Sequence, residues 1–147
     1  MDFDPVLREG FDRVQPLEPD LQRVHDAILT ADRLVMIFPL WLGLMPAIFH
    51  GFLERVLQRE AVAAAKQRKF PKPLRGKTVL VVMTMGMPAL LYRWWFGAHA
   101  LRVLKYLLGA VGASSIRSLL LGNIEGVGAP GRAKWLSVME RRGRRAV

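Results

Sequence analysis

Apolar and polar positions alternate along this chain between short continuous runs and stripes of helical period. The densest stretch lies at 31–56. Leu34 to Phe38 is a short apolar run with β-branched members, the size of a strand buried on both faces. Pro39 ends the run, because it has no N–H to give to a ladder. Leu40 to Met45 is then a loop holding Trp41 and Gly43, and Pro46 fits a helix first turn. Ile48, Phe49, Phe52, Leu53 and Val56 follow at helical spacing. A loop at the carboxyl end of a buried strand is where open α/β sheets bind ligands.

The same reading covers the rest of the chain. Residues 1–18 show no sustained period and make an irregular lead-in, in which Phe3, Val6, Leu7 and Phe11 pack locally. Pro19 and Asp20 start a helix that carries Leu21, Val24, Ala27 and Ile28 and ends near Thr30–Ala31. His25 on it reads as a surface or satisfied histidine, since no second ligand sits at metal spacing. The helix from Pro46 is expected to run past Arg59 to Ala65, with Lys66 to Lys69 as a basic run complementing its dipole. Phe70 to Gly76 is a turn-rich connection, expected to be mobile. Lys77 to Thr84 is the second strand, followed by the loop Thr84–Met85–Gly86–Met87–Pro88. Leu90 to Gly112 reads as one or two helices, and Ser115 to Leu121 as a third strand. Glu125 to Pro130 is a Gly-rich turn, and Arg132 to Arg145 a last helix with Trp135, Leu136, Val138 and Met139 as core candidates. This alternation of helix and strand predicts an α/β domain with a parallel sheet. Its first strand would be an exposed edge, which needs a partner chain or a preceding segment to cover it.

Composition adds bounds. The 147 residues suit one domain, and an apolar content of 52% is ample for a core. No cysteine is present, which excludes disulfides, thiolate metal sites and a Cys nucleophile. With 22 basic and 12 acidic residues the net charge is +10. That favours anionic partners or simply makes a basic solvated surface. The acidic start, Met1 to Pro5, is no signal peptide, so a cytoplasmic protein is expected. Leu34 to Leu53 is largely apolar, but Pro39, Pro46, Gly43 and Gly51 divide it into pieces shorter than the roughly 20 residues of a membrane span.

The ordered set Ala31–Asp32, Phe38–Pro39–Leu40–Trp41, Met45–Pro46–Ala47–Ile48 and His50–Gly51–Phe52–Leu53–Glu54–Arg55–Val56 resembles the flavodoxin-like NAD(P)H dehydrogenase (quinone) family. Asp4–Pro5–Val6–Leu7 is similar to that family's lead-in after its second strand. Val79 to Val82 with Thr84–Met85–Gly86 is similar to a later strand and loop. One departure is large. The family's first strand, and the loop after it that binds the flavin phosphate, have no match here. The resemblance therefore implies a single flavodoxin-like domain over 1–147, incomplete at the N-terminus. It would be a three-layer parallel sheet supplying strands 3, 4 and 5 of the order 2-1-3-4-5.

The resemblance also implies a chemistry. Pro39, Leu40, Trp41, Leu42 and Gly43 would hold one side of a flavin ring, FMN or FAD, and Thr84, Met85 and Gly86 the other. Gly43 and Gly86 allow close backbone approach. Alternatively, Trp41 is a core or interface aromatic and Gly86 a plain turn. Tyr92, six residues after Gly86, matches the spacing of a Tyr that stabilises the reduced flavin in relatives, and His99 falls one residue off the spacing of its His partner. A hydroxyl there could donate to a developing anion. His50 stands in place of the usual Lys and reads as a helix-surface residue. Arg93–Trp94–Trp95–Phe96 reads either as a substrate wall or dimer contact, or as a helix with its tryptophans in the core; no nucleic-acid motif accompanies it. The implied function is hydride transfer from NAD(P)H through flavin to a quinone or similar acceptor, in a homodimer without nucleic acid or an integral membrane partner. The alternative is a non-enzymatic flavodoxin-like remnant or subunit that needs a partner and binds no flavin alone.

Overall fold

The computed structural model describes residues 2–10, 12–67 and 71–144. Its elements run α1 (Pro19–Thr30), β1 (Arg33–Pro39), α2 (Ala47–Val56), α3 (Gln58–Gln67), β2 (Thr78–Thr84), α4 (Ala89–Trp94), α5 (His99–Ala110), β3 (Ser115–Leu121) and α6 (Gly128–Arg144). The three strands form one parallel sheet in the order β1-β2-β3, in register from Arg33↔Thr78↔Ser115 to Pro39↔Thr84↔Leu121. Phe11, Arg68, Lys69, Phe70 and Arg145, which figure in the sequence reading, lie outside the described residues.

Strand alternation sorts the side chains into two unlike faces. One face carries Leu34, Met36 and Phe38, Val79, Val81 and Met83, and Ile116 and Leu120. These form the core with Leu53, Tyr92, Ala100, Leu101, Leu104 and Leu108 from the helices. Burying each such side chain contributes about 1.5–3 kcal/mol. Across the sheet, Val35 and Ile37 on β1 are 57% and 62% exposed. The expectation that β1 is buried on both faces is therefore corrected: one face of this edge strand is uncovered. The carboxyl-terminal part of α6 lies on that side, and none of its residues is buried. Leu136 is exposed, while Trp135, Val138 and Met139 are half-buried. As core candidates these four are corrected too: α6 lies on the sheet's exposed face, and none of the four is buried.

Other boundaries shift for local reasons. The helix from Ala47 does not continue unbroken past Arg59. Leu57 leaves helical geometry at φ −99°, ψ 7°, and Gln58, buried, exchanges hydrogen bonds with the backbone of Gln15. Leu90–Gly112 resolves into two helices, parted by Gly97 and Ala98 at φ 63° and 47°. The last helix begins at Gly128, with Pro130 taken into its first turn. In the connection before β2, Leu74 is buried and its N–H bonds Val111 O at 3.0 Å. His25 is neither on the surface nor fully paired: it is buried, and its Nε2 has no hydrogen-bond partner among the described residues.

The irregular lead-in is pinned by α2. Arg55 is fully buried. Its guanidinium bonds Asp4 O, Pro16 O at 2.7 Å and both carboxylate oxygens of Glu18. A Cβ on Gly51 would lie 2.6 Å from both the ring and the carbonyl oxygen of Pro5. Only glycine admits the lead-in at that distance.

Candidate functional site

Register brings the carboxyl ends of all three strands to one edge of the sheet, and their loops are tied together there. Leu40 N–H donates to Thr84 O at 2.7 Å, Met85 N–H to Leu121 O at 2.9 Å, and Asn123 N–H to Met87 O at 3.0 Å. Gly122 lies so close to Ala89 that a Cβ would stand 2.2 Å from its backbone N. Small loops thus pack backbone to backbone, with few side chains intervening.

The loop after β1 is a tight turn. Trp41 and Leu44 exchange N–H···O bonds of 2.8 and 2.9 Å. Leu42 and Gly43 take φ of 50° and 81°, the positive pair that a type I′ turn requires. Leucine is an unusual occupant of that region. Its side chain is fully exposed, and Trp41 beside it is also exposed. Pro39 is half-buried at the end of β1, extending the strand one residue beyond the expected run, and Leu40 is buried beneath the turn.

After β2, Thr84 is half-buried, Met85 buried in the core and Gly86 exposed. A Cβ on Gly86 would meet nothing within 4 Å, so the space above it is open. Among the described residues, the N–H groups of Leu42, Gly43 and Gly86 have no acceptor. A flat aromatic group with acceptor atoms along one edge fits such a place: unpaired backbone donors, a glycine with clear space over it and an exposed tryptophan alongside.

Tyr92 and His99 are separated in role. The rings lie 6.3 Å apart between centroids. Tyr92 is 0% exposed, and its hydroxyl oxygen accepts the Leu101 N–H at 3.4 Å. That N–H belongs to the first turn of α5, where no side chain of the N-cap residue Ala98 serves. Burial pushes the Tyr92 phenol above its usual value, opposed by the amide hydrogen bond from Leu101. His99 is exposed. Its Nδ1 is 3.1 Å from Phe96 O, and its Nε2 sits 3.3 Å from where a Cβ on Gly43 would stand. The structure therefore brings His99, not the Tyr92 hydroxyl, against the turn after β1.

Trp94 and Trp95 are 78% and 79% exposed, and Phe96 is exposed too. The reading that places these tryptophans in the core is thus corrected: α4 buries Tyr92 and turns the two tryptophans outward. Arg93 lies over the Trp94 ring, its Cζ 6.0 Å from the centroid. His50 is exposed on α2 with Nε2 3.4 Å from Glu54 Oε1, as a helix-surface residue should be. Arg55, the most connected polar side chain of the structure, escaped notice as such in the sequence. A basic residue within an apolar helical stripe was the available signal.

A parallel sheet with helices between its strands and loops gathered at its carboxyl edge makes this an α/β protein of the open-sheet class. The chain belongs to the flavodoxin-like fold family, whose profile matches residues 1–141. It is 32% identical over 89 residues to an uncharacterised NAD(P)H oxidoreductase of Haemophilus influenzae, a match covering 58% of this chain and 44% of that protein. The chain thus spans under half the length of this curated relative. Among solved structures, Smu.1420 from Streptococcus mutans UA159 superposes with a TM-score of 0.77 at 26% identity, covering 97% of this chain and 77% of that one. An NAD(P)H:quinone oxidoreductase from Methanothermobacter marburgensis gives 0.70 at 25% identity, covering 94% and 69%. Among the described residues, no helix is long and apolar enough to cross a membrane.

Proposed function

We propose that this chain holds a flavin ring, of FMN or FAD, at the carboxyl edge of its sheet and works as a flavin-dependent NAD(P)H oxidoreductase of the quinone-reductase type. The observation that carries this reading is the junction of the two loops by Leu40 N–H and Thr84 O, with unpaired N–H groups at Leu42, Gly43 and Gly86 around it. Kinship with the NAD(P)H oxidoreductases described above supports it. The residues present fit the ring. Trp41 would pack on it, and the loop amides would donate to its polar edge. Gly43 and Gly86 let the backbone come close, with Pro39, Leu40, Thr84 and Met85 holding the loops in place. His99, fixed through Nδ1 to Phe96 O, presents Nε2 beside the Gly43 turn and stabilises negative charge when protonated. Tyr92, buried beneath the loops, accepts the Leu101 N–H in the first turn of α5. Bound flavin supplies the hydride chemistry, while the protein orients it and excludes competing reactions.

NAD(P)H and a quinone-like acceptor occupy the open face in turn. The exposed Trp94, Trp95 and Phe96 wall that face, either from this chain or across a homodimer contact. A second reading, of a subunit that binds no flavin alone, is favoured by one observation: β1 lies at the edge of the sheet with Val35 and Ile37 uncovered. Titration of the folded chain with FMN and FAD, followed by flavin fluorescence quenching, separates the two. Saturable binding, weakened by Trp41→Ala, supports the oxidoreductase and leads to NADPH–quinone turnover assays. No quenching by folded protein overturns it in favour of the subunit.

A further inference from the structure

The outer side of α4 is unused by the core. Leu90, Leu91, Trp94 and Trp95 sit at i, i+1, i+4 and i+5, so they share one face of the helix. All four are exposed, Leu90 at 70% and Trp95 at 79%, and the exposed Phe96 continues the surface past the helix end. Tyr92, buried on the other side, holds this face outward. The helix follows β2, and Ala89 at its start abuts Gly122 just beyond β3, so it is anchored away from the edge strand β1. Contiguous exposed apolar surface of this kind marks an interaction site. Cations flank it. Arg93 Cζ is 6.0 Å from the Trp94 ring centroid, and Arg102 Nη1 is 4.0 Å from where a Cβ on Gly97 would stand. Both are exposed, and among the described residues neither has an ion-pair partner. From Ala61 to Ile124 the chain holds ten Lys and Arg residues and not one Asp or Glu.

Tryptophan concentrates at the boundary of bilayer and water, where its ring meets acyl chain and its N–H meets headgroup. A helix face of Trp and Leu edged by Arg lies in that plane, and the cations meet anionic lipid. We propose that α4 docks this protein on the surface of an anionic phospholipid bilayer. Leu90, Trp94 and Trp95 sit among the headgroups, and Arg93 and Arg102 meet the lipid phosphates. Charge decides against a second copy as the occupant. A two-fold contact of α4 with α4 sets the same arginines against each other, with no carboxylate between 61 and 124 to pair them. The bilayer supplies the missing negative charge. Docking also has a consequence that rests on the flavin reading: α4 leads into α5, whose His99 lies against the Gly43 turn, so an acceptor dissolved in lipid is delivered beside the carboxyl-edge loops.

Co-sedimentation of the full chain with vesicles tests the docking. Vesicles of equal parts phosphatidylcholine and phosphatidylserine should bind it at least tenfold more strongly than phosphatidylcholine alone. Trp94→Ser with Trp95→Ser should weaken that binding tenfold or more, and so should Arg93→Gln with Arg102→Gln. All four side chains are exposed, so urea melts of both variants should match the parent. Arg132→Gln with Lys134→Gln removes the same charge from exposed positions of α6 and should change binding less than twofold. The assay contains no flavin, so its failure and that of the flavin reading are distinguishable. No vesicle binding, equal binding to the two compositions, or an equal loss in the α6 variant overturns the proposal. So does sedimentation showing a dimer that Trp94→Ser with Trp95→Ser dissociates, which gives the face to a second copy of the chain.

Discussion

Both carboxylate oxygens of Glu18 are held by one side chain, Arg55, at 3.2 and 2.9 Å, and that guanidinium is wholly removed from solvent. The same group binds the carbonyls of Asp4 and Pro16. One residue of α2 thereby ties together Asp4, Pro16 and Glu18, three positions of the irregular lead-in. Breaking a buried pair by removing one partner costs about 3–5 kcal/mol. Because Glu18 keeps some solvent contact, Arg55→Met should lose about 3 kcal/mol, read as a lower midpoint in urea unfolding. Arg55→Lys should recover little of it, since an ammonium cannot reproduce the planar fork.

Acid should loosen the same region. Burial works to raise the Glu18 carboxyl, but its own backbone N–H, then Arg55 and the Asp4 N–H, hold it below its ordinary 4.5. The Val6 N–H and Arg8 lower Asp4, and the Asp2 N–H and Arg23 lower Asp20. A depressed folded pKa gives stability that is present above the unfolded value and lost as pH falls through the folded one. Stability should therefore decline from about pH 4.5 downward, and Glu18→Gln should flatten that decline. An unchanged pH slope in the variant counts against this assignment.

Tyr92 predicts the opposite limb. Its raised phenol pKa contributes stability that is intact below 10 and lost as pH climbs through the folded value. Tyr92→Phe should cost about 1 kcal/mol through the lost bond to the Leu101 N–H and should remove that alkaline loss. Flavin affinity should move less than threefold. His99→Ala should instead weaken flavin at least tenfold while unfolding at nearly the same urea concentration.

Two glycines should separate fold from binding. Gly43→Ala forces a Cβ onto φ 81° and to 3.3 Å from His99 Nε2. It should cost about 1–2 kcal/mol and weaken flavin as well. Gly86→Val places its side chain in open space. Stability should stay within about 0.5 kcal/mol, whereas flavin affinity should fall tenfold or more. Urea melts alongside flavin titrations of both variants check the pattern.

Much of the architecture is local and could be read without coordinates. Leu34–Phe38, Thr78–Thr84 and Ser115–Leu121 are short runs bounded by breakers, and each is a strand in the structure. Pro19 starts α1, and the Leu40–Met45 segment joins β1 to α2. Periodicity and proline sterics act over a few residues, so the chain itself carries that information. The kinship with flavodoxin-like proteins was legible too, in the ordered residues from Ala31 to Val56.

What lies on the far side of a strand is not a local property. The run Leu34–Phe38 reads the same whether one face or two are packed, and the structure buries Phe38 while Val35 and Ile37 stay exposed. By resemblance Tyr92 keeps the spacing of the relatives' Tyr, and His99 falls one residue off that of its partner. The positive φ of Gly97 and Ala98 starts a new helix between them, sending the phenol into the core and the imidazole to the Gly43 turn. Arg55 is a lone cation in an apolar helical stripe, and only the folded lead-in supplies its partners. In each case the partner comes from a distant part of the chain, and burial and charge pairing between distant segments exist only once those segments meet.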